Sequence, residues 1–501
     1  MKKYRKILRN REARIKRRLD RKRWTSQPVP MLSGGNVHYE MSSRAEAINC
    51  GGIGAFHTLA QRIGLIDEID EHLHLLKVHL PYHESDHVLN ISYNVLVGGQ
   101  RLEDIEYQRE DETFLNALNA SRLPDPTTAG DFTRRFDVDD ISTLMDCINR
   151  SRTKLWNVRG RDLLKEEALV DIDGTLAPTT GWRKQGIGLS YNGVWGYHPL
   201  VVSLANTKEI LFLENRPANA PSHKGAEKWI DAAIDLVAPY TKRVCLRGDT
   251  DFALTRHFDE WSERADFVFG MDASSGLVNR ATAVDPGDWQ PLNRKAKYEV
   301  ATLPRSKPEN VRAQIVKDKE LKNIRLESEH VAEITYTPGR AKKTYRLIML
   351  KKNLSIEKGE AVLFDDIRYF FYITTRWDLS SAEVVELANG RCDQENVIEQ
   401  LKNGVNAMRM PVDNLLSNWA YMVMAALAWN LKAWFALTVR RRERRNQLLN
   451  MEFRKFLRNL IWIPTQILKH GRRTVYRILN HNGWTSDFFS AWESIKKLRL
   501  A

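Results

Sequence analysis

The sequence predicts an α/β protein whose sheet core is interrupted by a β-rich insertion and flanked by helical, basic N- and C-terminal regions. Two observations predict it. Between residues 166 and 271 short apolar runs ending in acids alternate with an amphipathic stretch, the rhythm of strands joined by helices. The net charge of +14 is also polarised. Residues 1–24 carry 13 Lys/Arg against Glu12 and Asp20, and residues 439–477 carry 12 against Glu443 and Glu452, leaving the remainder net acidic. Two basic ends around an acidic centre point to a polyanionic partner held by both ends, with the centre kept for another task.

A length of 501 residues and 43% hydrophobic content suit a globular chain of several domains rather than a disordered one. Cys50, Cys147, Cys245 and Cys392 lie far apart with no C-x-x-C pair, which disfavours a zinc site or disulfide framework and fits a reducing cytoplasm. No apolar core follows the charged N-terminus, so no secretory signal is expected. The apolar run Trp419–Trp429 is too short to span a bilayer and is expected to be a buried helix, with no membrane partner.

Residues 1–37 are read as a basic arm followed by a linker at 25–37, marked by Pro28, Pro30, Gly34 and Gly35. A helical, DNA-binding N-terminal domain is expected over 38–165. Within it TTAGDFTRRF (127–136) reads either as a small helix touching phosphate or as an ordinary surface helix. His83 and His87 have the i, i+4 spacing of metal ligands but lack matching partners. A catalytic domain is expected over 166–410. ALVDIDGT, YHPLVVSLA and EILFLEN predict three strands, KGAEKWIDAAIDLV a helix, and RVCLRGDTDF and DFVFGM two more strands. Three strands, helix, strand, helix, strand is the order of an RNase H-like core. Residues from about 272 to 365 break that rhythm as a β-rich insertion, with a hairpin turning at Pro338 and Gly339. The core resumes at YFFYITT and a long helix starting near Ser380, where Ser380 and Glu383 have capping-box spacing. Residues 411–501 form a helical basic C-terminal domain.

The acids carry the chemistry. Asp171 and Asp173 alternate along one strand and so share a face, as do Asp249 and Asp251 at the end of another. Aspartates gathered at adjacent strand ends repel unless a cation lies between them, and hard oxygen donors favour Mg²⁺ or Mn²⁺. In ANGRCDQENVIEQLKNG, Arg391, Glu395 and Lys402 are spaced i, i+4, i+11, along one face of a helix. The pattern reads as a buried acid holding metal while Arg391 and Lys402 hold phosphate, or else as a salt-bridged exposed helix.

These motifs resemble the DDE transposases of bacterial insertion sequences, in particular the group with the Y-x2-R-x3-E-x6-K signature. Arg391, Glu395 and Lys402 match its R, E and K, while Ala388 stands where its tyrosine belongs. GGQRLEDIE (98–106), LPDPTTAGDF (123–132), WGYHPLVV (195–202) and NRPANAPSHKGA (215–226) are similar to the branch called family thirteen-eighty, so the resemblance spans roughly residues 44–480. It implies Asp173, Asp249 and Glu395 as the catalytic metal ligands for two Mg²⁺ ions, replaceable by Mn²⁺, with Asp171 and Asp251 as supporting acids. It also implies double-stranded DNA as partner (terminal inverted repeats and target DNA), a homodimer on that DNA, strand cleavage and transfer with or without a hairpin intermediate, and a bacterial cytoplasmic setting. Trp289, the one tryptophan between 262 and 376, is either a core residue or the acceptor of a base flipped from the DNA end. Two alternatives stand beside this. LVDIDGT also opens haloacid-dehalogenase-like phosphatases, which would make Asp171 a nucleophile. A catalytically inactive, transposase-derived DNA-binding protein would keep the basic ends alone.

Overall fold

The structure, a computed structural model, describes residues 4–20, 38–39, 45–179, 181, 183–294, 322–358, 361–471 and 473–498. The linker expected at 25–37 and part of the insertion (295–321) lie outside them. The chain forms two compact units: Glu166–Gly174 with Pro221–Glu395, and Met1–Lys165 with Thr175–Ala220 and Asn396–Ala501.

The smaller unit contains β1 (Ala168–Gly174), α1 (Ala226–Val237), β2 (Val244–Gly248), α2 (Phe258–Arg264), β3 (Asp266–Met271), α3 (Ser275–Thr282), β4 (Gln290–Pro291), β5 (Lys322–Tyr336), β6 (Tyr345–Lys358), β7 (Ala361–Thr374) and α4 (Ser381–Asn389). It also holds the start of α5 (Cys392–Glu399). Its strands run in the order β4-β5-β6-β7-β3-β2-β1. β1, β2 and β3 are parallel neighbours, with Asp171 opposite Arg247. β7 joins β3 antiparallel, Phe371 opposite Met271, and so attaches the β-rich insertion to the parallel core.

Each element has a local cause. β2 (VCLRG) is buried along its whole length, as a central parallel strand covered on both faces must be. α1 buries Trp229, Ile230, Ala233, Ile234 and Val237, a helical stripe facing the sheet. The hairpin expected at Pro338 and Gly339 is the β5–β6 turn. Its far end is tied to α2 by Asp259, whose carboxylate accepts from the Lys342 and Lys343 amides (2.7 and 3.1 Å) and the Tyr345 hydroxyl (2.7 Å). Ser380 caps α4 in the expected box with Glu383. Val384 and Val385 of α4 pack with Cys245, Val268, Val331, Ile348 and Leu350, and Ala388 and Tyr372 pack against the same cluster.

The long helix expected from Ser380 is broken. α4 ends at Asn389, Gly390 and Arg391 form a turn, and α5 begins at Cys392. A π-helical turn, Gln400–Gly404, follows it.

The larger unit is mostly helical and carries the chain's two basic ends. Helix Arg5–Leu19 buries none of its residues; it is held by Tyr4 stacked on Phe489 (5.2 Å) and by Arg11 Nη1 donating to the Leu479 carbonyl (2.9 Å). The apolar run at Trp419–Trp429 belongs to the longer helix Leu415–Leu437, buried continuously from Ser417. Among the described residues it is the one helix long and apolar enough to cross a membrane, and its apolar stretch is buried inside the protein. The hairpin Leu200–Leu204/Glu209–Glu214 is antiparallel, and its second strand starts with a fully buried Glu209. That carboxylate accepts from Arg152 Nε (3.0 Å), Trp156 Nε1 (3.0 Å) and Trp434 Nε1 (2.6 Å), which satisfies a charge that would otherwise be costly to bury. Not every basic residue of the C-terminal cluster is free for a partner. Arg444 pairs with Asp487 (2.9 Å) and stacks on Trp484, and Arg445 pairs with Asp162, whereas Arg442, Arg454, Lys455 and Arg458 are exposed.

Candidate active site

β1 and β2 lie side by side and both end in acids, so their pairing delivers the first two candidate carboxylates to one end of the parallel sheet. Asp173 is mostly buried, its Oδ1 accepting the Gly174 amide (2.8 Å) and its Oδ2 accepting Arg391 Nη1 (2.9 Å). Asp249 follows β2 directly, where its Oδ1 accepts the Asp251 amide (3.0 Å) and caps the turn Thr250–Phe252. Gly248 is required by space. A Cβ there would come within 2.8 Å of Phe252 Cβ and 3.1 Å of the Phe269 ring.

Burial, and then the negative charge of Asp249 and Glu395, push the Asp173 carboxyl up to about 6, against the pull of Arg391. Burial likewise raises Asp249, helped by the charges of Asp251 and Asp272 and opposed by Arg391. Asp173 therefore feels the charges of both Asp249 and Glu395, with Arg391 opposing them at Asp173 and at Asp249.

Asp171 has a different task. It is 1% exposed and receives two hydrogen bonds from Arg247, Nε to Oδ1 at 2.6 Å and Nη2 to Oδ2 at 2.8 Å. A carboxylate whose two oxygens are bound in a buried guanidinium fork cannot serve as a nucleophile, which removes the physical basis of the phosphatase reading. Asp251 is exposed, and its backbone rather than its side chain supports Asp249.

Glu395 is exposed on α5, not buried as the metal-holding reading of its pattern expected. Arg391 sits in the turn before the helix, and Lys402 lies in the π-helical turn of the larger unit. Arg391, Glu395 and Lys402 are thus not on one regular helical face. In the π turn the Val405 amide bonds to the Gln400 carbonyl at 2.9 Å, five residues back, which shifts the register before that face could be completed.

Trp289 is half-buried rather than a core residue. Its ring lies 6.0 Å from Tyr369, with Lys351 Nζ 5.6 Å from the ring centre. His87 is stacked on Phe132 (4.3 Å), and burial pushes it down to about 4.

Among the described residues no three His, Cys, Asp or Glu side chains converge closely enough to enclose a metal ion as they stand. The donor chemistry of the acidic group nonetheless fits a hard divalent cation. Asp173 and Asp249 supply oxygen donors, are raised by burial and by neighbouring acids, and have one guanidinium as counter-charge.

Sequence reasoning missed Arg247, Gln394 and Asp272. Arg247 had a readable signal, because an arginine inside an otherwise apolar strand must find a buried acid. Gln394 is 1% exposed and donates to the Asp171 carbonyl at 3.0 Å; no local pattern marks it. Asp272 follows β3 much as Asp249 follows β2, so the third acidic strand end was legible.

Residues 42–500 match the family described as transposase DDE domain, group 1. The chain is a DDE-family transposase. None of the curated proteins compared with it matches. Among solved structures, the transposase is similar at 10% identity to the piggyBac transposase in a synaptic complex with hairpin DNA. The match covers 83% of this chain and 84% of that one with a TM-score of 0.35, a likeness too slight to bear on the site.

Proposed function

We propose that this transposase cleaves and joins DNA strands at the terminal inverted repeats of an insertion sequence, using Asp173, Asp249 and Glu395 as ligands for two Mg²⁺ ions. One observation carries the reading: Asp173 is driven up to about 6 by burial and by the charges of the other two acids, the condition a bound divalent cation relieves. When bound, such ions would activate water or a DNA 3′-hydroxyl and stabilise the leaving oxygen of an in-line displacement. Asp173 and Asp249, at neighbouring strand ends, and Glu395 on α5 would hold the ions. Arg391, which donates Nη1 to Asp173 Oδ2, would steady that carboxylate while its remaining N–H groups pair with the scissile phosphate. Lys402 supplies a further phosphate contact, and Trp289 with Lys351 offers a stacking face for a base at the DNA end.

The exposed cations of the basic ends supply salt-sensitive phosphate binding, and two chains on paired ends form the working dimer. Wild-type protein and Glu395→Ala are compared on DNA carrying one element end, in Mg²⁺ and in Ca²⁺. Cleavage by the wild type in Mg²⁺ alone, lost in Glu395→Ala with DNA binding kept, is the expected outcome, and a denaturing gel of the product shows whether a hairpin forms. Binding without cleavage by the wild type in Mg²⁺ would identify a DNA-binding descendant instead.

A further inference from the structure

We propose that Arg247 is a positioning residue that sets the break between α4 and α5 and thereby aims Arg391 and Glu395 at the acids; this rests on the catalytic reading above. The inference begins with a peptide bond. In an unbroken helix the Arg391 amide would donate to the Leu387 carbonyl, four residues back. That carbonyl is taken by Arg247 Nη1 at 3.0 Å, and the Arg391 amide bonds three residues back to Ala388 at 3.2 Å. The amides of Asp393 and Gln394 follow with the same three-residue step, to Gly390 (3.1 Å) and Arg391 (2.8 Å). A buried side chain has replaced a helical hydrogen bond, and the chain turns there.

Gly390 shows that this intrusion is built in. Its backbone has φ −58° and ψ −20°, a conformation open to every residue, so conformational freedom does not call for glycine. Space does: a Cβ at 390 would lie 2.6 Å from Arg247 Nη1. The other edge of the guanidinium is fixed by the fork to Asp171, which leaves it little room to withdraw.

Asp171 also anchors the far side of the break. Its carbonyl accepts Gln394 Nε2, holding the first turn of α5 against β1 beside Glu395. One aspartate therefore fixes the end of α4 through its side chain and the start of α5 through its backbone. Between these two struts Arg391 reaches Asp173 Oδ2. Asp171 and Arg247 touch neither substrate nor metal in this account; they act through Arg391 and Glu395.

The test uses the full chain and two variants that disturb the junction from opposite sides. Gly390→Ala leaves the buried ion pair chemically intact and favours helix; Arg247→Lys keeps a cation opposite Asp171 but cannot also span to Leu387. Amide hydrogen exchange is followed at 387–394 without DNA or metal, together with end-DNA affinity and Mg²⁺-dependent cleavage at saturating DNA. Gly390→Ala should slow exchange of the Arg391 amide as the two helices merge. Both variants should keep DNA affinity within about two-fold while losing roughly 100-fold in cleavage rate. A folded Gly390→Ala protein with unchanged exchange and wild-type cleavage overturns the proposal, whatever Arg247→Lys does to stability. Glu395→Ala in the same assay separates the two claims. If it is inactive while Gly390→Ala cleaves normally, only the positioning role falls; if it too cleaves normally, the catalytic reading falls.

Discussion

At the scale of single residues, the proposed chemistry rests on an acid kept from its ordinary ionisation. Asp173 rises from 3.8 to about 6 because burial and the charges of Asp249 and Glu395 outweigh Arg391. A carboxyl raised in the folded state stabilises the fold fully below its unfolded pKa and loses that contribution as pH climbs through about 6. A divalent cation bound by ionised Asp173 reverses the loss, so Mg²⁺ should raise the melting temperature clearly near about pH 7.5 and little near about pH 5. Equal shifts at both pH values, or a full shift in Asp173→Asn, would contradict this.

The strand-end acids Asp173 and Asp249 were legible because strand periodicity and parallel pairing put them at one end of the sheet. The division of labour between Asp171 and Asp173 was not. Both belong to DIDGT, and only the position of Arg247 on the neighbouring strand decides which acid is consumed by an ion pair.

At the scale of elements, the sequence correctly marked the strands ending in acids, the β5–β6 hairpin and the Ser380 cap, each set by local chemistry. It failed at the helix expected to carry Arg391, Glu395 and Lys402 on one face. Spacing alone assumes 3.6 residues per turn, and here a guanidinium arriving from β2 breaks the helix at Gly390 while a π turn shifts it again before Lys402. Neither cause is local in sequence. The cap permits a stability check: Ser380→Ala should cost about 1 kcal/mol, read by denaturant unfolding, with cleavage unaffected once folded.

The β-rich insertion carries its own prediction. Trp289 is half-buried beside Tyr369 and Lys351, so Trp289→Ala should impair cleavage at the element end, and Trp289→Phe should restore much of it through stacking. A fluorescent base analogue at the DNA end should lose its stacking-dependent quenching in Trp289→Ala. Unchanged fluorescence and unchanged cleavage in that variant would remove the residue from the site.

At the scale of the whole molecule, charge polarity was readable from composition, but its use was not. Arg444 and Arg445 look like DNA contacts in sequence, yet both are engaged inside the larger unit. Helix Arg5–Leu19 buries nothing and is the better candidate for phosphate. Removing residues 1–24 should weaken binding to specific and random DNA alike and flatten the salt dependence; a loss confined to the specific end would assign base reading to the arm. The larger unit's fold depends on the buried Glu209 network, so Glu209→Ala should destabilise it by about 3–5 kcal/mol.

The most direct test of metal-assisted chemistry exchanges one proposed ligand for a softer one. Asp173→Cys protein, shown to be folded and to bind end DNA, is assayed for strand cleavage in Mg²⁺ and in Mn²⁺, since thiolate tolerates the second ion better than the first. The proposed assignment predicts cleavage abolished in Mg²⁺ and recovered at least in part in Mn²⁺. Cleavage by Asp173→Cys in Mg²⁺ at the wild-type rate would contradict the assignment of Asp173 as a metal ligand.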